Sequence, residues 1–193
     1  MIRLFVALDL PRSMRTRLSF LGGGLPGVRW VPPENYHLTL RFIGELPSWR
    51  AEEVDQALAG LRAPSFSLEL KGVGTFEKAG RVSSLWVGVD RSPALDHLQA
   101  KVETALQRAG LERERRRFQP HVTLARLGDG IAPGKVAAWV QAHNLFRSEP
   151  MRVEHFTLFS SLLGKEQAAY SPEVEYELVT GQTRPQAEGM EAG

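Results

Sequence analysis

The chain of 193 residues contains no cysteine. That absence removes disulfides, thiolate metal sites and thiol nucleophiles together. Long apolar runs are missing too: nothing approaches the roughly 20 consecutive apolar residues that span a bilayer. The opening stretch MIRLFVALDLPRS has neither an extended apolar segment nor a small-residue cleavage site, so it is expected to be a first strand. The expectation is a soluble, cytoplasmic protein without membrane association. Charge of one sign is also scarce. The net charge is only +2, so attraction to a polyanion must come from local clusters rather than from the whole field. The densest cluster is RERRR at 113–117, where Arg113, Arg115, Arg116 and Arg117 stand just before FQPHVTL. A charge run of this kind is either a solvated face or a phosphate-steering patch, and its position favours steering.

What is present is ordinary globular composition, 42% hydrophobic and 24% charged, enough to bury a core in one large domain or two small lobes. Within it one pattern recurs. HLTL stands at 37–40, HVTL at 121–124 and HFTL at 155–158. With 5 His and 8 Thr in the chain, random placement yields only about 0.2 His-x-Thr patterns. On a strand, residues i and i+2 share a face roughly 7 Å apart. Each His-x-Thr therefore offers an acid/base group and a hydroxyl side by side.

An internal repeat separates the three copies. LFVALD at 4–9 and LWVGVD at 85–90 match in character residue by residue, and each reads as a short strand closed by Asp. A helical period follows each, marked by Met14, Leu18 and Leu21 in the first half. In the second it is marked by Leu95, Leu98, Val102 and Leu106, with Ser92 as cap and Pro93 in the first turn. His37 and His121 then arrive after similar loops. Further helices are marked by Ala51, Val54, Leu58 and Leu61, and by Val136, Trp139 and Val140. Strand-like segments close each half at 66–74 and 151–161. HFTL falls on the closing strand, whose counterpart has no histidine, so His155 and Thr157 are not a third member of the set.

The expected architecture is α+β: two pseudo-symmetric lobes of antiparallel sheet, helices packed outside, and an active-site cleft between them. One bilobal domain covers 1–180, with halves of about 1–80 and 81–180. The polar segment 181–193 reads as a disordered tail. His37 and His121, 84 positions apart, are expected to face each other across the cleft.

Two histidines in one cleft suit in-line attack at phosphorus. An imidazole titrates near 6.5, so one ring can take a proton from water while the other gives one to the departing oxygen. Thr39 and Thr123 would hold non-bridging oxygens and a nearby Arg would neutralise their charge. A zinc site wants three or four ligands, and the sequence offers neither Cys nor His-x-x-x-His. The glycine stretches LGGGLPG and GIAPGKV lack the context of a phosphate loop and read as turns. His97 falls on the polar side of its helix, and His143 is expected to be packed or near a helix end rather than reactive.

RLFVALDLP, HLTLRFIGE and FQPHVTLARL resemble the signatures of the two-histidine (2H) phosphoesterase superfamily, and within it the RNA 2′,3′-cyclic phosphodiesterases, also called 2′-5′ RNA ligases. The resemblance spans nearly all of 1–180. It implies an enzyme without cofactor or metal that opens 2′,3′-cyclic phosphate at RNA 3′ ends or nucleotides to a 2′-phosphate, with reversible ATP-independent 2′-5′ ligation as a second activity; separately, a monomer is expected. It makes His37 the proton donor and His121 the proton acceptor, with Thr39, Thr123 and Arg126 on the phosphate. Strand counting complicates the last of these. By twos from His121 the count reaches Ala125, so Arg126 needs a strand end or bulge to face the cleft, whereas Arg41 counts onto the face of His37 and Thr39 and is the second candidate. The same count turns Phe42 toward the core. A base-stacking aromatic is sought in Tyr36, Phe76 or Phe118. Other readings are a non-catalytic RNA-end or nucleotide-binding module, and a 2H enzyme for another cyclic or 2′-5′-linked nucleotide.

Overall fold

Alternation of apolar residues and the two matched halves determine how the chain is laid down. In the computed structural model, which describes residues 1–164 and 168–180, the first half runs β1 (Ile2–Asp9), α1 (Arg12–Ser19), β2 (Val28–Trp30), β3 (His37–Leu46), α2 (Ser48–Ala59), β4 (Phe66–Leu68) and β5 (Leu70–Lys78). The second runs β6 (Arg81–Val89), α3 (Pro93–Arg108), β7 (His121–Leu127), α4 (Pro133–His143), β8 (Met151–Val153), β9 (His155–Leu163) and β10 (Ala168–Glu177). The proposed tail at 181–193 lies outside the described residues.

Seven strands form an antiparallel sheet in the order β10-β9-β1-β3-β7-β6-β5, and β2 adds to β7. Each segment expected to close a half splits into two strands. The short β4 and β8 pair with each other. The longer two cross over: β5 of the first half lies beside β6, and β9 of the second lies beside β1. The two inner strands meet through one pair, Leu38 with Val122. Beyond it β2 takes the edge of β7, pairing from Val28 with Leu127 to Trp30 with Ala125. Both strands begin at their histidine, so in this register they overlap only at their first residues, and β2 occupies the edge of β7 beyond.

One face of the sheet carries Leu4, Val6, Leu8, Leu38, Leu85, Val87 and Val122, all in one core with Leu18, Leu58, Leu98, Leu106 and Trp139 from the four helices. The alternate residues Phe5 and Ala7 form a smaller cluster with Phe159 on the other face. The helix α3 is the best determined locally: Ser92 Oγ accepts from the Leu95 amide at 3.3 Å, Pro93 opens the first turn, and Leu95, Leu98, Val102 and Leu106 are all buried. No helix among the described residues is long and apolar enough to cross a membrane.

These contacts set a graded test of stability. Leu98→Ala should lower unfolding free energy by about 2–5 kcal/mol and Ser92→Ala by about 1 kcal/mol. Urea midpoints at unchanged slope measure both; equal losses would mean that α3 does not dock as described.

Candidate active site

The cleft is built from two strands that share one irregularity. In β3, Ala7 of β1 pairs with Thr39 and Val6 pairs with Arg41, so Leu40 is skipped. In β7, Trp86 pairs with Thr123 and Leu85 pairs with Ala125, so Leu124 is skipped. Each leucine of the H-x-T-L motif is thus the extra residue of a β-bulge, and a bulge reverses the facing of the residues beyond it. The consequence is symmetrical in backbone and asymmetrical in chemistry. Beyond the first bulge Phe42 reaches the cleft; beyond the second Arg126 does.

The facing expected from simple alternation therefore needs correction for Arg41 and Phe42, and the aromatic candidates divide. Arg41 is turned away, its Nε donating to Glu103 of α3 at 2.6 Å and its guanidinium to the Glu112 carbonyl. Phe42 is not a core residue but lies 53% exposed in the cleft. Of the aromatic candidates Phe76 lines the cleft. Tyr36, 3% exposed, belongs to the main core and Phe118 packs against that core, and neither lines the large cavity.

The register carries the two motifs face to face. Continuing the Leu38–Val122 pair one step either way sets His37 across from Thr123 and Thr39 across from His121. A cavity of about 660 Å³ is lined by all four, together with Phe5, Phe42, Phe76, Arg126 and Tyr170. Each imidazole is tied in the same way. His37 Nδ1 lies 2.8 Å from the Asn35 carbonyl and His121 Nδ1 lies 2.7 Å from the Gln119 carbonyl. A carbonyl only accepts, so both rings hold their proton at Nδ1 and keep Nε2 for other chemistry. An aromatic edge supports each ring, Tyr170 against His37 with centroids 5.1 Å apart and Phe76 against His121 at 4.7 Å. Trp86 backs Phe76 at 5.3 Å and can lie there only because position 74 is glycine, where a Cβ would fall 2.4 Å from its ring.

Burial pushes both imidazoles below the ordinary value of 6.5, and the Arg126 charge adds to this in each; the carbonyl bonds oppose it. His37 also feels the proximity of His121, which lowers it, and of Asp9, which raises it. Asp9 is the direct strand partner of His37. Its repeat counterpart Asp90 is not placed likewise, because Gly88 takes the position opposite His121 and Asp90 pairs with Arg147 at 2.9 Å.

HFTL stands apart. His155 Nε2 is 3.9 Å from Glu175 and Thr157 is 1% exposed, and neither lines the large cavity. From the arginine run, Arg116 borders the cleft but is held by Glu114 at 3.2 Å, which keeps that carboxyl down at about 2. His97 is exposed, and His143 ends α4 with Nδ1 2.8 Å from the Trp139 carbonyl. Among the described residues no three His, Asp or Glu side chains are grouped to hold a metal ion. Phe42 and Tyr170, which line the cleft, and Asp9, beside His37, were given no site role from sequence. The first had a signal, since it is the repeat counterpart of Arg126; Tyr170 had none.

Two antiparallel halves that present paired histidines to one cleft define a 2H phosphoesterase fold. The family model of the 2′-5′ RNA ligase superfamily matches residues 25–165, and the chain belongs to that superfamily. A Geobacillus stearothermophilus protein named RNA 2′,3′-cyclic phosphodiesterase is 36% identical over 135 residues, covering 67% of this chain but only 43% of that protein's length. One of the same name from Archaeoglobus fulgidus is 30% identical over 165 residues, covering 84% of this chain and 92% of its own. Among solved structures, Escherichia coli LigT complexed with 3′-AMP matches with a TM-score of 0.75 at 26% identity, over 93% of this chain and 99% of that one.

The carbonyl bonds make a spectroscopic prediction. In ¹⁵N-resolved NMR of the free protein, both His37 and His121 should appear as Nδ1–H tautomers titrating below 6.5. An Nε2–H tautomer in either ring would contradict the geometry.

Proposed function

We propose that this protein is an RNA 2′,3′-cyclic phosphodiesterase that opens the cyclic ester to a 2′-phosphate without a metal ion. The observation that carries this reading is the pair of imidazoles fixed in one tautomer with Nε2 free in the same cleft. An acid and a base at once are what in-line displacement at phosphorus needs, and a binding module does not. Water attacks phosphorus as His121 Nε2 takes its proton; the bond to ribose O3′ breaks as protonated His37 gives its Nε2 proton to that oxygen. The product keeps phosphate on O2′ and has a free 3′-hydroxyl. Thr39 and Thr123 hydroxyls donate to the non-bridging oxygens, and Arg126 offsets their charge.

Asp9, although also paired with Arg15, supports this division between the histidines. A carboxylate opposite His37 favours its imidazolium, and His121 has no such partner in the ladder. A 5′-hydroxyl in place of water gives a 2′-5′ linkage by the same displacement. Opening the cyclic ester drives that step, so ATP is not required.

Incubation with an RNA ending in 2′,3′-cyclic phosphate, in excess EDTA, should yield the 2′-phosphate. A 3′-phosphate, or dependence on added divalent metal, would sink the mechanism. His37→Ala and His121→Ala should each lower kcat/KM by about 10² or more, whereas His155→Ala should stay within a few-fold; equal losses in all three would count against the two-histidine assignment.

The pH profile has a definite sign. With both free rings held below 6.5, the singly protonated pair is most abundant below that value. Raising pH deprotonates the acid, and lowering it protonates the base. The profile of kcat/KM should be a bell with its maximum below 6.5; a maximum above neutrality would contradict it.

A further inference from the structure

The cleft does not end at the histidines. Arg29 of β2 is the direct partner of Arg126 of β7, whose other neighbour is Ser84 of β6. Residues directly opposite in an antiparallel ladder share a face with Cβ atoms about 4.5–5.5 Å apart. Two guanidinium groups are therefore carried on one rung. A second cavity of about 170 Å³ is lined by both arginines, with Trp30, Pro32 and Tyr170. It shares Val31, Asn35, Arg126 and Tyr170 with the larger one, so the two form a continuous path.

Like charges placed directly opposite destabilise a sheet. Other cations at the cleft are relieved by carboxylates: Arg3 by Glu45 at 3.1 Å and Arg116 by Glu114 at 3.2 Å. Among the described residues neither Arg29 nor Arg126 makes a hydrogen bond or ion pair with a side-chain carboxylate. An arginine pair on a shared rung at the end of a catalytic cleft is suited to two anionic groups of one ligand.

We propose that Arg29 and Arg126 form a two-phosphate track, with Arg126 meeting the cyclic phosphate and Arg29 the internucleotide phosphate on the 5′ side of the terminal nucleoside. The proposal rests on the cyclic phosphodiesterase reading and adds its substrate class. The ligand is an oligoribonucleotide end, at least a dinucleotide, rather than a cyclic mononucleotide. Single-stranded RNA carries one phosphate per nucleotide, so consecutive phosphates meet consecutive cations along the path.

The test compares a 2′,3′-cyclic mononucleotide with a dinucleotide ending in the same cyclic phosphate, for the unsubstituted protein and for Arg29→Gln. The expected result is a preference for the dinucleotide of about 10-fold in kcat/KM, which Arg29→Gln removes, its loss on the dinucleotide being at least about five times that on the mononucleotide. Arg29→Lys should restore part of the preference. The slope of log kcat/KM against log salt for the dinucleotide should flatten by about 0.7, one single-strand phosphate contact. Equal losses on both substrates, or none on either, would overturn the track while leaving the hydrolytic reading intact. An unsubstituted protein that cleaves neither substrate would overturn that reading and the track with it.

Discussion

Each of the two central strands has one leucine, directly after the threonine of its His-x-Thr motif, that the ladder beside it passes over. The direction of the side chains beyond depends on those two bulges. Without them His37, Thr39 and Arg41 would share a face, and Phe42 would compete for the core. With them the leucine and its successor are spent on the buried or helix side, and the residue after that returns to the cleft. Burial of Leu124 and Ala125 in succession is the mark of this interruption. The helix side gains too, because Arg41 is delivered to Glu103 of α3 instead of standing among other cations.

A symmetrical scaffold here carries an asymmetrical site. The same turn of backbone presents an aromatic ring in one half and a guanidinium in the other. Asp9 reaches the position across from His37, while the register of β6 on β7 puts Gly88 opposite His121. The carbonyl bonds and the edge-on aromatics, by contrast, are duplicated. What is shared between the halves holds the rings still, and what differs sets the charge around them.

Much of this was legible in the sequence, and the parts that were not have a common cause. Helices were readable because their apolar stripes and the Ser92–Pro93 start are local features. The pairing of HLTL with HVTL was readable because the repeat supplies its own comparison. The facing of Arg41, Phe42 and Arg126 was not, since alternation holds only until a bulge, and a bulge is a relation between neighbouring strands. Its trace was nevertheless present: LRFI and TLAR both break the period of two, and aligning the halves sets Phe42 against Arg126. Tyr36 was avoidable by parity, lying next to a cleft-facing histidine and hence on the opposite face. Tyr170 and Arg29 depend on which strands come to lie beside β9 and β7, and nothing near them in the chain reveals it.

The crossing of β5 and β9 between the halves bears on how the molecule assembles. Leu4 pairs with Ser160 and Ala7 with Thr157, so β1 waits for a strand made some 150 residues later. Closing a loop of that length costs entropy before its contacts repay it, and non-local pairings of this kind slow folding. The first half alone holds β1 and β3 with an open edge where β9 belongs. Translation therefore releases His37 and its carbonyl partner before β9 and β10 exist to complete the sheet beside β1.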